Sequence, residues 1–324
     1  MRRGIVKRGF GVDEHAVHYY EDDDAFVAFV SEYLAAGVAA GEHVIAIATA
    51  THLTHLERLV SARVDDSSVG SRGRLVLLDA HETLDLFMVD GSPDPFRFRS
   101  HVGRLITEAA KGGSPVRAFG EMVALLWDDG NVAGAIELES LWNDLLEHER
   151  FTLLCGYPTT TLSGVSLLDV QAVCDLHSAV LPPPSYGSTS LDDSADDHSD
   201  MRSEVFVPVA QAVRATRRFV FAVLDGWGLQ ELQWDAAVIV SELANNAVRH
   251  GASPFRVLVS RAGDGVRIGI HDVAPGRPHQ RPAADDDLDG RGIAIVKALS
   301  TGWGCESLSD GKFTWADLAA APSA

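Results

Sequence analysis

Up to residue 181 the chain alternates short apolar runs, rich in β-branched residues, with longer segments of helical period. AVHYY, HVIAIAT, RLVLLDA, PVRAFGEM and FTLLCGY read as strands. Between them AFVAFVSEYLAAGVAAG, THLERLVSARV, FRSHVGRLITEAAK and AIELESLWNDLLEHE read as helices. Strand and helix in alternation make βαβ units, because a parallel pair needs a crossover long enough to hold a helix. The first half is therefore expected to be α/β, with a mainly parallel sheet covered on both faces. From Leu181 the pattern stops: Pro182, Pro183 and Pro184 lead into an acidic stretch with Asp192, Asp193, Asp196, Asp197 and Asp200. That composition cannot bury enough apolar surface to offset chain ordering, and it predicts an extended linker over 182–203. Beyond it come the helical run VAQAVRATRRFVFAVLDGW, a helix around 233–250, and two alternating runs, FRVLVSRAG and VRIGIHD, joined through Gly263, Asp264 and Gly265. A turn of that chemistry between alternating runs predicts a β-hairpin. Residues 204–324 thus read as α+β, and the domains as 1–181, 182–203 and 204–324.

Length agrees with this division, since 324 residues suit two domains of roughly 100 to 200 each. Charge narrows the function: 27 basic against 46 acidic residues leave a formal charge of -19, which argues against a phosphate-backbone footprint and direct nucleic-acid binding. Cys155, Cys174 and Cys305 lie in apolar stretches without CxxC or metal-ligand spacing. This argues against a disulfide framework or a zinc site, and for a reducing compartment. No apolar run reaches the roughly 18 residues of a membrane span, and the basic start at Arg2 and Arg3 lacks the apolar core of a signal peptide. The expectation is a cytoplasmic protein with no membrane partner.

Candidate chemistry concentrates after residue 240. In SELANNAVRHG a helix places Glu242 and Asn246 four residues apart on one face. An amide oxygen there suits Mg2+, and the carboxylate can orient or deprotonate a hydroxyl. VRIGIHD ends in Asp272, a carboxylate able to accept from an exocyclic amine such as that of adenine. In DLDGRGIAIVKALS, Gly290 and Gly292 precede an apolar-periodic helix, whose free N–H groups and dipole favour an anion. In this order, Glu242 to Asn246, Asp272 to Gly276 and Gly290-Arg291-Gly292 resemble the three motifs of the GHKL (Bergerat) ATP-binding superfamily. ALSTGWGCE and GKFTWADL resemble the final helix and closing strands of the actinobacterial anti-sigma-factor serine/threonine kinases. The resemblance spans roughly 204–318 and implies a Bergerat sandwich using ATP and Mg2+. It implies Glu242 as catalytic base, Asn246 as Mg2+ ligand, Asp272 as adenine reader, and Gly276, Gly290 and Gly292 as nucleotide-loop glycines. Asn245, Arg249, His250, Arg291 and Ile293 are further contacts by proximity, and AADDDLD is the lid. The second motif departs from Asp-x-Gly-x-Gly, reading Asp272-Val273-Ala274-Pro275-Gly276. Implied partners are a sigma factor and an anti-anti-sigma (STAS-type) protein, with homodimerisation. A noncatalytic partner-binding regulator with a structural or vacant nucleotide site is the alternative. A histidine kinase is disfavoured, since only His198 lies upstream in the linker and it has no helical surroundings.

HAVHYYEDDDAFVAFVSEYLAAGVAAGEHVIAIAT, with FGEMVALLWDDGN, ELESLWNDLLEHERFTLLCGYP and DVQAVCDLHSAVLP, resembles the MEDS sensory domain, a RecA/KaiC-like module of bacterial regulators, over most of 11–181. A working RecA-like ATPase carries GxxxxGK followed by Ser or Thr after its first strand. Here Tyr20, Glu21, Asp22, Asp23 and Asp24 follow instead, and an acidic run repels phosphate. This half is expected to sense an unknown small-molecule or protein signal without hydrolysing nucleotide. The candidate ligand residues are His15, His18, Tyr19, Glu21, Glu121 and Trp127, since ligands of open parallel sheets favour the strand ends. Cys155 and Cys174 are expected to be small buried hydrophobes.

Overall fold

The computed structural model describes residues 14–63, 75–111, 113, 115–164, 166–183, 186, 200–251, 253–274 and 292–320. The chain divides into two compact units, Met1–Thr161 with Ala172–Leu181, and Leu162–Gln171 with Pro182–Ala324.

The first unit opens with β1 (His15–Tyr20), α1 (Asp23–Ala39), β2 (His43–Ala48), α2 (Ala50–Arg63), β3 (Leu75–Asp79) and α3 (Ala80–Asp85). A small hairpin follows, β4 (Met88–Val89) and β5 (Ser92–Pro93), turning at Asp90 and Gly91 with φ of 50° and 85°. Positive φ at both central residues is what the Asp-Gly pair accommodates. Then come α4 (Pro95–Phe98), a π-helical turn and α5 (Arg104–Ala110), β6 (Val116–Gly120), α6 (Met122–Asp128), α7 (Val132–Leu146), β7 (Phe151–Pro158), α8 (Leu167–Asp175), of which Ala172–Asp175 belong to this unit, and β8 (Ala179–Leu181). Six strands form one sheet in the order β3-β2-β6-β7-β1-β8, every pair parallel.

β1 and β7 lie inside the sheet and are buried along almost their whole length, as the near-continuous apolar runs of parallel strands require. The two faces of β1 have different company. Ala16 and Tyr20 join the core built with α1 and α2, where Phe26, Val30 and Leu34 pack. His15 and Tyr19 point the other way, toward side chains of β7, α7 and α8. Two residues separate β1 from α1. The helix is capped by Asp22, whose carboxylate accepts from the Ala25 N–H at 2.6 Å, and Asp23 and Asp24 fill its first turn. Carboxylates at a helix N-terminus satisfy its free donors and complement its dipole.

In the second unit β9 (Met201–Phe206) precedes α9 (Ala212–Gly226), α10 (Gln233–Asn246), β10 (Phe255–Ala262), β11 (Gly265–Asp272), α11 (Gly292–Leu299), β12 (Gly302–Leu308) and β13 (Gly311–Ala319). The five strands make an antiparallel sheet in the order β12-β13-β11-β10-β9. The expected hairpin is β10–β11, with Ala262 opposite Gly265 and a two-residue loop whose Gly263 has φ of 58°. β10 alternates buried and half-buried positions, so one face of this sheet is covered. α10 packs against α9, α11, β11 and β13 through Ala236, Ile239, Val240 and Leu243. The expected linker is shorter at its carboxyl end, because β9 begins at Met201 and pairs with β10. Asp192, Asp193, Asp196, Asp197 and His198 lie outside the described residues. No helix among the described residues is long and apolar enough to cross a membrane.

Candidate functional site

α10 buries its Ala-Ile-Val-Leu face and leaves Glu242, Asn245 and Asn246 half-buried on the opposite side. The helix then loosens into a π-helical turn over Ala247–Gly251, where Arg249 is exposed. Opposite this face stands the start of α11. A Cβ built on Gly292 would sit 2.5 Å from Glu242 Oε2, so a larger first residue of α11 would have to displace the carboxylate. Ile293 is buried beside it. Two motifs fifty residues apart are thus in contact, with the Glu242 carboxylate at the first residue of a helix.

Asp272 ends β11 and is buried. Its Oδ1 accepts from Lys312 Nζ at 2.6 Å and from the Ala274 N–H at 3.0 Å, and Lys312 also donates to the Ala274 carbonyl at 3.1 Å. Lys312 stands directly opposite Asp272 in the β11–β13 register. Gly276, Gly290, Arg291 and the acidic lid segment lie outside the described residues, as does the side chain of His250.

The first unit separates its candidate ligand residues. Glu21 is exposed and, with Tyr20, Asp22, Asp23, Asp24, Pro158 and Thr160, lines an open concavity at the carboxyl ends of β1 and β7. His18 lies on the α1 side, its ring 4.4 Å from that of Phe29 and 5.6 Å from that of Phe26, with Nδ1 buried and unpartnered. Burial lowers it to about 4. Tyr19 contacts Cys174 Sγ at 3.7 Å, and Trp127 donates to the Thr161 carbonyl at 3.4 Å while meeting Tyr157 edge-on. Glu121 follows β6. Its Oε2 accepts from the Thr49 N–H at 2.8 Å and its Oε1 contacts His52 Nδ1 at 2.5 Å. That hydrogen bond raises the His52 pKa against the opposing effect of burial.

His15 lies within another group. Glu139, on α7, is fully buried, with Oε2 3.2 Å from His15 Nε2 and 3.4 Å from Cys155 Sγ, and Oε1 3.5 Å from His177 Nε2. Tyr157 donates to Oε1 at 2.9 Å. Burial works to raise the Glu139 carboxyl, but the His177 charge, with the side-chain contacts of His15 and His177, outweighs it and holds the carboxyl below its usual range. Burial, followed by the Glu139 charge, pushes the Cys155 thiol well up.

The family model described as MEDS, MEthanogen/methylotroph, DcmR Sensory domain, matches residues 14–177, half of the chain. The chain belongs to the MEDS family. A second model, described as a histidine kinase-like ATPase domain, matches residues 206–312. The molecule therefore joins an N-terminal MEDS sensory domain to a C-terminal ATPase domain of the GHKL-like type, an arrangement that fits a regulator. An ATPase domain of this type implies nucleotide binding with Mg2+ in general. A solved structure described as a structural study from Pyrococcus horikoshii OT3 is similar at 9% identity with a TM-score of 0.35, over 53% of this chain and 83% of that one. No curated protein matches the chain.

Sequence reasoning did not single out His52 and Glu139 of the MEDS domain, or Lys312 of the ATPase domain. His177 lay in a quoted run but was not named. Glu139 carried a readable signal. It falls in line with Ala135, Leu138 and Trp142, on the apolar face of α7, where an ionised side chain needs a buried partner.

Proposed function

We propose that this MEDS-family chain is a sensory regulator whose ATPase domain binds Mg-ATP and phosphorylates a Ser or Thr of an anti-anti-sigma protein while sequestering a sigma factor. The observation that carries the proposal is the approach of Glu242 to Gly292, which sets a carboxylate beside the start of a helix, one turn before Asn246 on α10. The donor set fits the nucleotide and its ion: Asn246 offers a hard amide oxygen to Mg2+, and the N–H groups at the start of α11 suit phosphate oxygens. Bound ATP supplies the transferable phosphoryl group. Glu242 orients the incoming hydroxyl and accepts its proton, and positioning with charge neutralisation does the rest. Calorimetry with Mg-ATP on the wild type, Asn246→Ala and Glu242→Ala, followed by phosphotransfer to purified anti-anti-sigma proteins, tests these roles. The expected result is binding lost in Asn246→Ala, and binding kept with transfer lost in Glu242→Ala.

A second reading is favoured by one specific observation. Lys312 occupies Oδ1 of Asp272, the carboxylate assigned to adenine, so the chain's own cation competes for that carboxylate. In that reading the ATPase domain is a noncatalytic partner-binding module, and wild-type protein shows no heat of Mg-ATP binding.

A further inference from the structure

The MEDS domain buries four metal-binding side chains around one point. They come from distant parts of the chain: His15 on β1, Glu139 on α7, Cys155 on β7, and His177 between α8 and β8. All four are buried, and their ligand atoms lie within 4.8 Å of one another. The β1–β7 register sets Val17 opposite Cys155, which puts His15 and Cys155 on the same face of the sheet.

The contacts around both imidazoles decide what the cluster can hold. Asn143 Nδ2 donates to the Leu176 carbonyl at 2.9 Å, which turns its Oδ1 toward His15 Nδ1, also at 2.9 Å. His177 Nδ1 faces the Val173 carbonyl at 2.6 Å. Both oxygens can only accept, so both Nδ1 atoms carry the proton and both Nε2 atoms turn toward Glu139 and Cys155. With the proton on Nδ1, a neutral imidazole directs its Nε2 lone pair at Glu139, and the positive charge between them comes either from a second proton on the ring or from a metal ion shared with the carboxylate. His177 Nε2 is buried and has no hydrogen-bond partner.

The closest separations approach those of ligands on one ion, and all four ligand atoms lie within 4.8 Å of one another. Bonds of about 2.0–2.1 Å to nitrogen, 2.0–2.2 Å to oxygen and 2.3 Å to sulfur at tetrahedral angles set ligand atoms about 3.4–3.6 Å apart. The distances here are 3.2 Å from His15 Nε2 to Glu139 Oε2, 3.4 Å from His15 Nε2 to Cys155 Sγ, 3.4 Å from Cys155 Sγ to Glu139 Oε2, and 3.5 Å from His177 Nε2 to Glu139 Oε1. Imidazoles held through their second nitrogen by an amide or carbonyl oxygen are the usual support for a bound metal.

We infer that His15, Glu139, Cys155 and His177 form a closed, tetrahedral site for a divalent transition-metal ion of the zinc class, tying the first strand of the MEDS domain to β7, α7 and the segment after α8. With four protein ligands and no open position the site is structural. Binding takes the Cys155 thiolate and neutral imidazoles, and the displaced protons go to solvent.

Metal analysis of the full chain, purified without an affinity tag that binds metals, tests the assignment. About one ion per chain is expected, with loss of at least tenfold in Cys155→Ser and His177→Ala, and full content in Cys174→Ser, whose sulfur lies outside the cluster. Refolding the wild type in Co2+ is expected to give a thiolate-to-cobalt charge-transfer band that is absent in Cys155→Ser. Because the band is read on wild-type protein, a variant that fails to fold does not leave the question open. Metal-free wild type that also gives no cobalt band, with native far-ultraviolet dichroism, overturns the site. A band that persists in folded Cys155→Ser overturns it equally.

Discussion

Replacing Gly292 by alanine puts a methyl carbon 2.5 Å from Glu242 Oε2, where ordinary contact begins at 3.4 Å, a deficit of 0.9 Å. The atom in the way is the far end of a flexible side chain, so the carboxylate moves and the fold stays. Gly292 opens α11, where the interior preference of alanine over glycine does not apply, and the melting temperature is expected to hold. The reaction is less forgiving. Misplacing a reacting group by about 1 Å costs up to roughly 10²-fold, or about 2.7 kcal/mol of barrier. Gly292→Ala is therefore expected to transfer phosphoryl groups about a hundredfold more slowly, with Mg-ATP binding changed far less. Single-turnover transfer from labelled ATP, measured beside thermal unfolding, reads both quantities. The double variant Gly292→Ala/Glu242→Ala supplies the control: if the methyl acts by moving Glu242, it adds nothing once the carboxylate is gone. An undiminished rate in folded Gly292→Ala, or a further loss on the Glu242→Ala background, would refute the reasoning.

Three further outcomes follow from the same structure. Gly156→Ala drives its new carbon into the Phe26 ring in the MEDS core, and urea denaturation is expected to show a loss of about 1–3 kcal/mol. Lys312→Met leaves Asp272 buried without its cation and is expected to cost about 3 kcal/mol by the same measurement, while an Asp272→Asn/Lys312→Met pair recovers much of that loss. His18 has a folded pKa of about 4 against roughly 6.5 unfolded, so its contribution is fully present above pH 6.5 and falls away as pH drops toward 4. The difference of about 2.5 pH units corresponds to about 3 kcal/mol, and denaturation is expected to show wild type losing about that much stability relative to His18→Leu between pH 7 and 4.

What could be read in the sequence was what is encoded locally. The β10–β11 hairpin follows from Gly263 and Asp264, because a two-residue turn depends on the torsions of its own residues. The pairing of Glu242 with Asn246 follows from helical spacing alone. β9 escaped because an acidic, Ser-rich stretch runs up to it, and its pairing with β10 comes from a strand fifty residues on. The partner of Asp272 escaped for the same kind of reason, since register across β11 and β13 brings Lys312 from forty residues away. Cysteine spacing argued against a zinc site, and the grouping of Cys155 with His15, Glu139 and His177 that the inferred site uses arises only once β1, α7, β7 and the segment after α8 have packed. Spacing rules detect sites built on one turn or hairpin; they have no access to a site assembled by a parallel sheet.

The carboxylate of Asp22 on the first turn of α1 has a wider consequence. A helix start behind the first strand of a parallel sheet is a ready anion site, and here the chain fills it covalently with its own anion, backed by Asp23 and Asp24. Phosphate and nucleotides at any cellular concentration meet an occupied, like-charged position. The MEDS domain thereby turns away, at this position, phosphate-bearing molecules of the kind that an ATPase domain in general takes.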